Sequence, residues 1–143
     1  MTLTPHMQEI LAIVLVESRR LEAVGDRPLA GIDRERWREL YRERQEYQVF
    51  GVRHDLAQWL GHPASPSESA VFSRALRNME AMGLVLRVNR WGGSKTTHVR
   101  LTAGGRAEAE RLAKEQEESV AAILSTLVLQ LPIETLEDAQ QGA

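Results

Sequence analysis

Hydrophobic positions recur at helical spacing along most of the chain and at strand spacing in one short region. Near the start, Ile10, Leu11, Ile13, Val14, Leu15 and Val16 follow Thr4 and Pro5, a pair suited to an N-cap and a first helical position. The pattern predicts a helix to about Val24, stopped by Gly25. Its apolar residues wrap most of the circumference, which predicts burial on more than one side and contact with a second subunit. Asp33 caps a second predicted helix of about fifteen residues with a narrow stripe of Trp37, Leu40, Tyr41 and Tyr47. The rest of that segment alternates Arg and Glu. Glu35 with Arg38 and Glu39 with Arg42 have the spacing of a salt-bridged solvent face, although the arginines are also candidates to touch phosphate.

After Gly51 a short helix is predicted from Arg53 to Leu60, with Leu56, Ala57 and Leu60 inward and Trp59 beside them. Ser65 and Glu68 then form a capping-box pattern around Pro66, and the helix so started should run to Met82 before Gly83. The period next changes to two. Leu84, Leu86 and Val88 alternate with Val85, Arg87 and Asn89, a Trp91-Gly92-Gly93-Ser94-Lys95 turn follows, and Thr97, Val99 and Leu101 alternate with His98 and Arg100. A short helix, a turn, a well-capped longer helix and a hairpin over residues 53–102 make a winged helix-turn-helix. Thr102 caps a last helix to about Gln130, before Pro132. Leu112, Val120, Ile123, Leu124, Leu127 and Val128 are its apolar positions, and it is too long for a wing-sized core.

The expected fold class is therefore mainly α with a small β-hairpin wing (α+β), flanked by long helices, in one domain over 1–143. Its parts are N-terminal helices (1–52), helix-turn-helix and wing (53–102), a C-terminal dimerisation helix (103–131) and an acidic tail (132–143). Helices 4–24 and 103–130 are the expected homodimer surface.

Charge sharpens this picture. The net charge is −2, but residues 70–106 hold seven basic groups against the single acid Glu80. A phosphate backbone responds to that local field and not to the average. The absence of cysteine excludes disulfides and thiolate chemistry and suits a reducing cytoplasm. No run is long enough to span a bilayer and no signal-peptide pattern is present, so a cytoplasmic protein without membrane contact is expected. His6, His54, His62 and His98 are scattered, without carboxylates at ligand spacing, so no metal is expected. Neither a phosphate-binding glycine loop nor a nucleophile elbow occurs. No catalytic residue, cofactor or enzymatic activity is expected.

On the helix from Pro66, at about 100° per residue, Phe72, Ala75, Leu76 and Met79 fall on one side. Ala70, Arg74 and Arg77 fall on the other, flanked by Ser67 and Ser73. A small residue permits close approach to a major groove, Arg can donate two hydrogen bonds to guanine, and Ser suits phosphate. Arg90 and Lys95 flank the wing turn and are candidates for a neighbouring minor groove or its phosphates, with Arg87, His98 and Arg100 as further phosphate candidates. Trp91 is expected to pack against the wing base.

The run Ser73-Arg74-Ala75-Leu76-Arg77-Asn78-Met79-Glu80-Ala81-Met82-Gly83-Leu84-Val85 resembles the recognition helix and first wing strand of MarR- and PadR-like regulators. Thr97 to Thr102, with Gly104, Gly105, Arg106 and Ala107, resembles their second wing strand and next helix. The resemblance covers roughly residues 53–115 and implies a dimeric transcriptional regulator on double-stranded DNA. MarR wings carry an Asp-x-Arg pair where this turn reads Gly-Gly-Ser-Lys. The competing reading is a winged helix used for protein contacts in a chromosome-maintenance or multi-subunit assembly. A small-molecule effector is left open, since no residue set points to one.

Overall fold

The computed structural model describes residues 2–28 and 30–130, with side chains as far as Val128. The expected acidic tail at 132–143 lies outside those residues. Two compact units divide the chain, one ending at Glu110 and one beginning at Arg111.

Thr4 accepts a hydrogen bond from Met7 N at 3.3 Å and Pro5 follows it, which starts α1 (Pro5–Glu22). Met7, Ile10, Leu11, Val14, Leu15 and Leu21 are buried on one stripe, while Val16 is 62% exposed. Most of this apolar surface therefore fills the chain's own core, with Val16 left outside it. Each such aliphatic side chain contributes about 2 kcal/mol of burial. The helix touches α2 (Arg34–Phe50), β1 (Val52–Arg53), α4 (Pro66–Ala81) and β3 (His98–Leu101).

Asp33 caps α2 through Glu35 N at 3.3 Å, and no residue of the helix is fully buried. Its ion pairs are not those predicted from spacing. Arg36 meets Glu39 at 3.2 Å, Glu43 meets Arg20 at 3.2 Å, and Arg44 meets Asp26 at 2.8 Å. The solvent-face reading of the segment stands, but tertiary partners take two of these three pairs and also Glu46, which meets Arg53, Arg90 and His98.

Gly51 turns the chain from α2 into β1 at φ +106°, and a Cβ there would lie 2.7 Å from Val99 O. Only glycine fits that approach. β1 replaces the first residue of the predicted helix at 53–60. The helical part is α3 (Leu56–Leu60), capped by Asp55 and closed by Gly61. α4 begins with the expected capping box, Ser65 N bonding Glu68 Oε1 at 3.0 Å and Glu68 N bonding Ser65 Oγ at 3.1 Å. Phe72, Ala75, Leu76 and Met79 are its buried residues, as the helical wheel predicts.

β2 (Val85–Val88) and β3 are antiparallel, and β1 adds to the far side of β3, giving the order β1-β3-β2. Val99 sits in register between Val52 and Arg87. The predicted phase of β2 is reversed, because Leu84 and Val85 are both buried and Leu86 is 51% exposed. Leu84 belongs to the turn after α4, where its N–H bonds Met79 O at 2.9 Å, so alternation starts one residue later. With neighbours on both edges, β3 is the central strand. Thr102 then caps α5 (Ala103–Gln130) by accepting from Gly105 N at 3.0 Å. Helix-turn-helix α3–α4 followed by the β2–β3 hairpin is a winged helix-turn-helix.

Candidate nucleic-acid interface

The capping box fixes where α4 starts and its four buried residues fix how it is rotated. That leaves Ser67, Ala70, Ser73, Arg74 and Arg77 exposed. None of Arg74, Arg77 and Lys95 has an acid partner among the described residues, whereas Arg36 and Arg44 of α2 are paired and Arg34, Arg38 and Arg42 are not. A cleft of about 620 Å³ lies between α4 and the wing, and Ser73, Arg77, Arg87 and Lys95 all line it. Ser69 also lines this cleft and was missed by the wheel argument, which looked only at the centre of the outer face. His54 is another wall residue, held below its usual pKa by burial. It therefore enters the cleft as a neutral ring.

The remaining basic candidates are committed to the fold to different degrees. Arg87 spans to Glu80, with its N–H at 2.9 Å from Oε2 and Nη2 at 2.9 Å from Oε1, which ties β2 to α4. The Arg87 guanidinium holds the Glu80 carboxyl below the usual carboxylate range. Two candidates need correction. His98 is 4% exposed, with Nε2 3.1 Å from Glu46 Oε2, Nδ1 2.8 Å from Thr97 Oγ1 and its ring against Phe50. It is a core residue and cannot reach a duplex. Arg100 donates to Gln48 O at 2.8 Å and Val49 O at 3.3 Å, so it closes the last carbonyls of α2. Both lie beside α2 because the central strand is covered on the face that period-two reasoning assigned to solvent.

Glu46 is the side chain at the wing base that nothing in the sequence singled out. Its carboxylate meets Arg53, Arg90 at 3.3 Å and His98 at 3.1 Å. Arg53 first, and His98 after it, bring its pKa down to about 2. Arg90 is thereby held at the wing base, its guanidinium 5.4 Å from the Phe50 ring centroid and 5.8 Å from that of Trp91. Trp91 is 79% exposed, so the expected packing of its indole against the wing base is overturned. The short turn gives it nothing to pack on except the Arg90 guanidinium.

A second cavity, of about 360 Å³, opens between α1, α2, β1 and α3, with Ile13, Val16, Trp59, Arg20, Glu46 and Arg53 in its wall. Its volume lies in the range of small-molecule sites. Among the described residues no group of three His, Asp or Glu is placed to hold a metal ion, and no helix is long and apolar enough to cross a membrane.

No family model matches the chain, and no curated protein does. A solved structure that resembles it is S. aureus MepR bound to ethidium bromide. The two are 21% identical, with 91% of this chain and 85% of that one covered at a TM-score of 0.36. The winged helix stands on the element order and sheet of this chain itself.

In the second unit, α5 carries Val120, Ile123, Leu124, Leu127 and Val128, each more than half exposed. Their spacing puts them on one broad stripe of the helix.

Proposed function

We propose that the protein is a dimeric transcriptional regulator that binds double-stranded DNA sequence-specifically, with α4 in the major groove and the wing on the flanking backbone or minor groove. The observation that carries this reading is the unpartnered cationic pair Arg74 and Arg77, on the outer face of a rigidly capped helix. Arginine there has its full set of donors available for guanine edges or phosphates. Lys95 and the serines Ser69 and Ser73 border the same cleft and suit the backbone that would pass between helix and wing. The protein-contact reading is less well supported. Among the described residues no large apolar side chain of α4 is exposed, and such a module would need one.

The test is fluorescence anisotropy on a pool of mixed-sequence duplexes across a salt series. Affinity should fall with salt at a slope near −0.9 per phosphate neutralised. Arg74→Ala/Arg77→Ala should weaken binding by about 100-fold and flatten the slope by up to about two phosphates. Equal affinity for wild type and double mutant would overturn the assignment of α4.

Two copies would present two recognition helices to half-sites about one helical turn apart. The exposed α5 stripe supports self-association, since five large apolar side chains in water are a liability unless covered. Leu124→Ser/Leu127→Ser is expected to convert a dimer into a monomer in sedimentation equilibrium. An unchanged mass would remove α5 from the interface.

A further inference from the structure

We propose that Trp91 is an aromatic wedge. When α4 occupies its major groove, the indole at the wing tip enters the adjacent minor groove and partly inserts between two base pairs, kinking the duplex. This rests on the DNA-binding reading above and adds to it the side chain that reads the flanking sequence.

A single exposed hydrophobic residue means little by itself. Trp91 differs in how it is presented. At 79% it is more exposed than any other large hydrophobic residue described, the next being Val16 and Val49 at 62%. Yet the turn that bears it is held by side-chain bonds. Asn89 Oδ1 accepts from Trp91 N at 2.8 Å, Asn89 Nδ2 donates to Lys95 O, and Asn89 O accepts from Gly92 N at 3.1 Å. On the other side Arg90 N donates to Thr97 Oγ1 at 2.8 Å. The backbone that bears the indole is therefore held with the side chain out in solvent, so the turn itself does not need ordering on binding, which limits the entropy lost by an inserted group.

The neighbouring chemistry selects the partner. Residues 90–95 read Arg-Trp-Gly-Gly-Ser-Lys; Lys95 has no acid partner among the described residues, and the Arg90 guanidinium, 45% exposed beside Glu46, lies 5.8 Å from the indole centroid. An aromatic ring between cations matches a polyanion that also offers stacking faces. Gly92, Gly93 and Ser94 give the tip no further apolar area, so it does not suit a protein interface. They also keep it slim enough to lead a ring into a groove only about 6 Å wide. Apolar wedges used this way unstack one step and bend the duplex toward the major groove. The step should be pyrimidine–purine, since TA and CA/TG steps open most easily.

The test uses a duplex selected for tight binding, with 2-aminopurine placed in turn at adenines flanking the α4 site. Wild-type protein at saturation should raise 2-aminopurine fluorescence at one flanking step and bring the duplex ends together by energy transfer. Trp91→Ala should lose both signals and about tenfold in affinity, with the salt slope unchanged because no charge is removed. Trp91→Phe should retain part of the unstacking signal. Arg74→Ala/Arg77→Ala should bind weakly but still unstack the step at saturation. The wedge is overturned if Trp91→Ala matches wild type, or if wild type binds without unstacking any flanking step. Failure of wild type to bind any duplex would instead overturn the DNA-binding reading, and the wedge with it. The side chain is exposed, so Trp91→Ala should melt as wild type does, and its effect cannot be confused with unfolding.

Discussion

Replacing Gly105 with alanine is expected to lower stability by about 3 kcal/mol or more, although alanine is ordinarily the better helix residue by about 1 kcal/mol. Gly105 is buried in the first turn of α5, and a Cβ built on it would overlap Leu84 O and lie 2.8 Å from Leu84 C. The Leu84 carbonyl cannot retreat, because it accepts from Thr102 N at 3.1 Å and from Thr102 Oγ1 at 3.1 Å. Those bonds fasten the start of α5 to the base of the wing. Relief of the overlap must therefore come at the expense of the cap or the turn. Gly104 is the control. A Cβ there meets only ordinary contacts, Thr102 Oγ1 at 3.8 Å and Gly83 O at 3.9 Å, so Gly104→Ala should stabilise by up to about 1 kcal/mol. Urea unfolding of the two variants gives opposite signs if the close approach is real. Two stabilised variants would show that helix propensity alone governs this turn.

What could be read from the sequence was what is decided locally. Ser65, Pro66 and Glu68 form a cap within four residues, and the period of Phe72, Ala75, Leu76 and Met79 then fixes the outward face, so Arg74 and Arg77 were placed correctly on the surface. What could not be read depends on partners distant in sequence. β1 is two residues long and exists only because β3 pairs with it, so no periodicity could announce it. His98 and Arg100 count as basic residues of an almost acid-free stretch, but their partners Glu46, Gln48 and Val49 come from about fifty residues earlier. Composition counts charges and is blind to pairing. Leu84 misled for a related reason, since a turn hydrogen bond took it out of the strand and shifted the alternation by one. Nothing local distinguishes Glu46 from Glu39 or Glu43 in the Arg–Glu run, and only the tertiary fold brings it two arginines and a histidine.

That convergence makes Glu46 the second position where a single substitution should act strongly. Glu46→Gln preserves shape but turns part of an acceptor into a donor facing the Arg53 guanidinium and the His98 ring. The His98 side chain is 5% exposed and loses its anionic partner inside the protein, whereas Arg53 and Arg90 are 59% and 45% exposed and can be rehydrated. Weighting the buried contact fully and discounting the exposed ones for solvent screening, the loss at neutral pH is on the order of 2 kcal/mol. Its pH dependence follows from the carboxyl's pKa of about 2 in the folded chain, below the ordinary 4.5. A depressed carboxyl stabilises the fold above its unfolded pKa and loses that contribution as pH falls toward its folded pKa. The stability difference between wild type and Glu46→Gln should therefore be constant above about pH 5 and shrink as pH falls from 4.5 toward 2. Because Glu46 and Arg53 also line the 360 Å³ cavity while Arg90 holds the wing base, the same variant should loosen the turn that carries Trp91. Hydrogen exchange at Arg90 and Trp91 would register that loosening alongside unfolding curves at pH 7 and pH 3. A gap independent of pH, with unchanged exchange in the turn, would mean that the carboxylate's charge holds neither the core nor the wing.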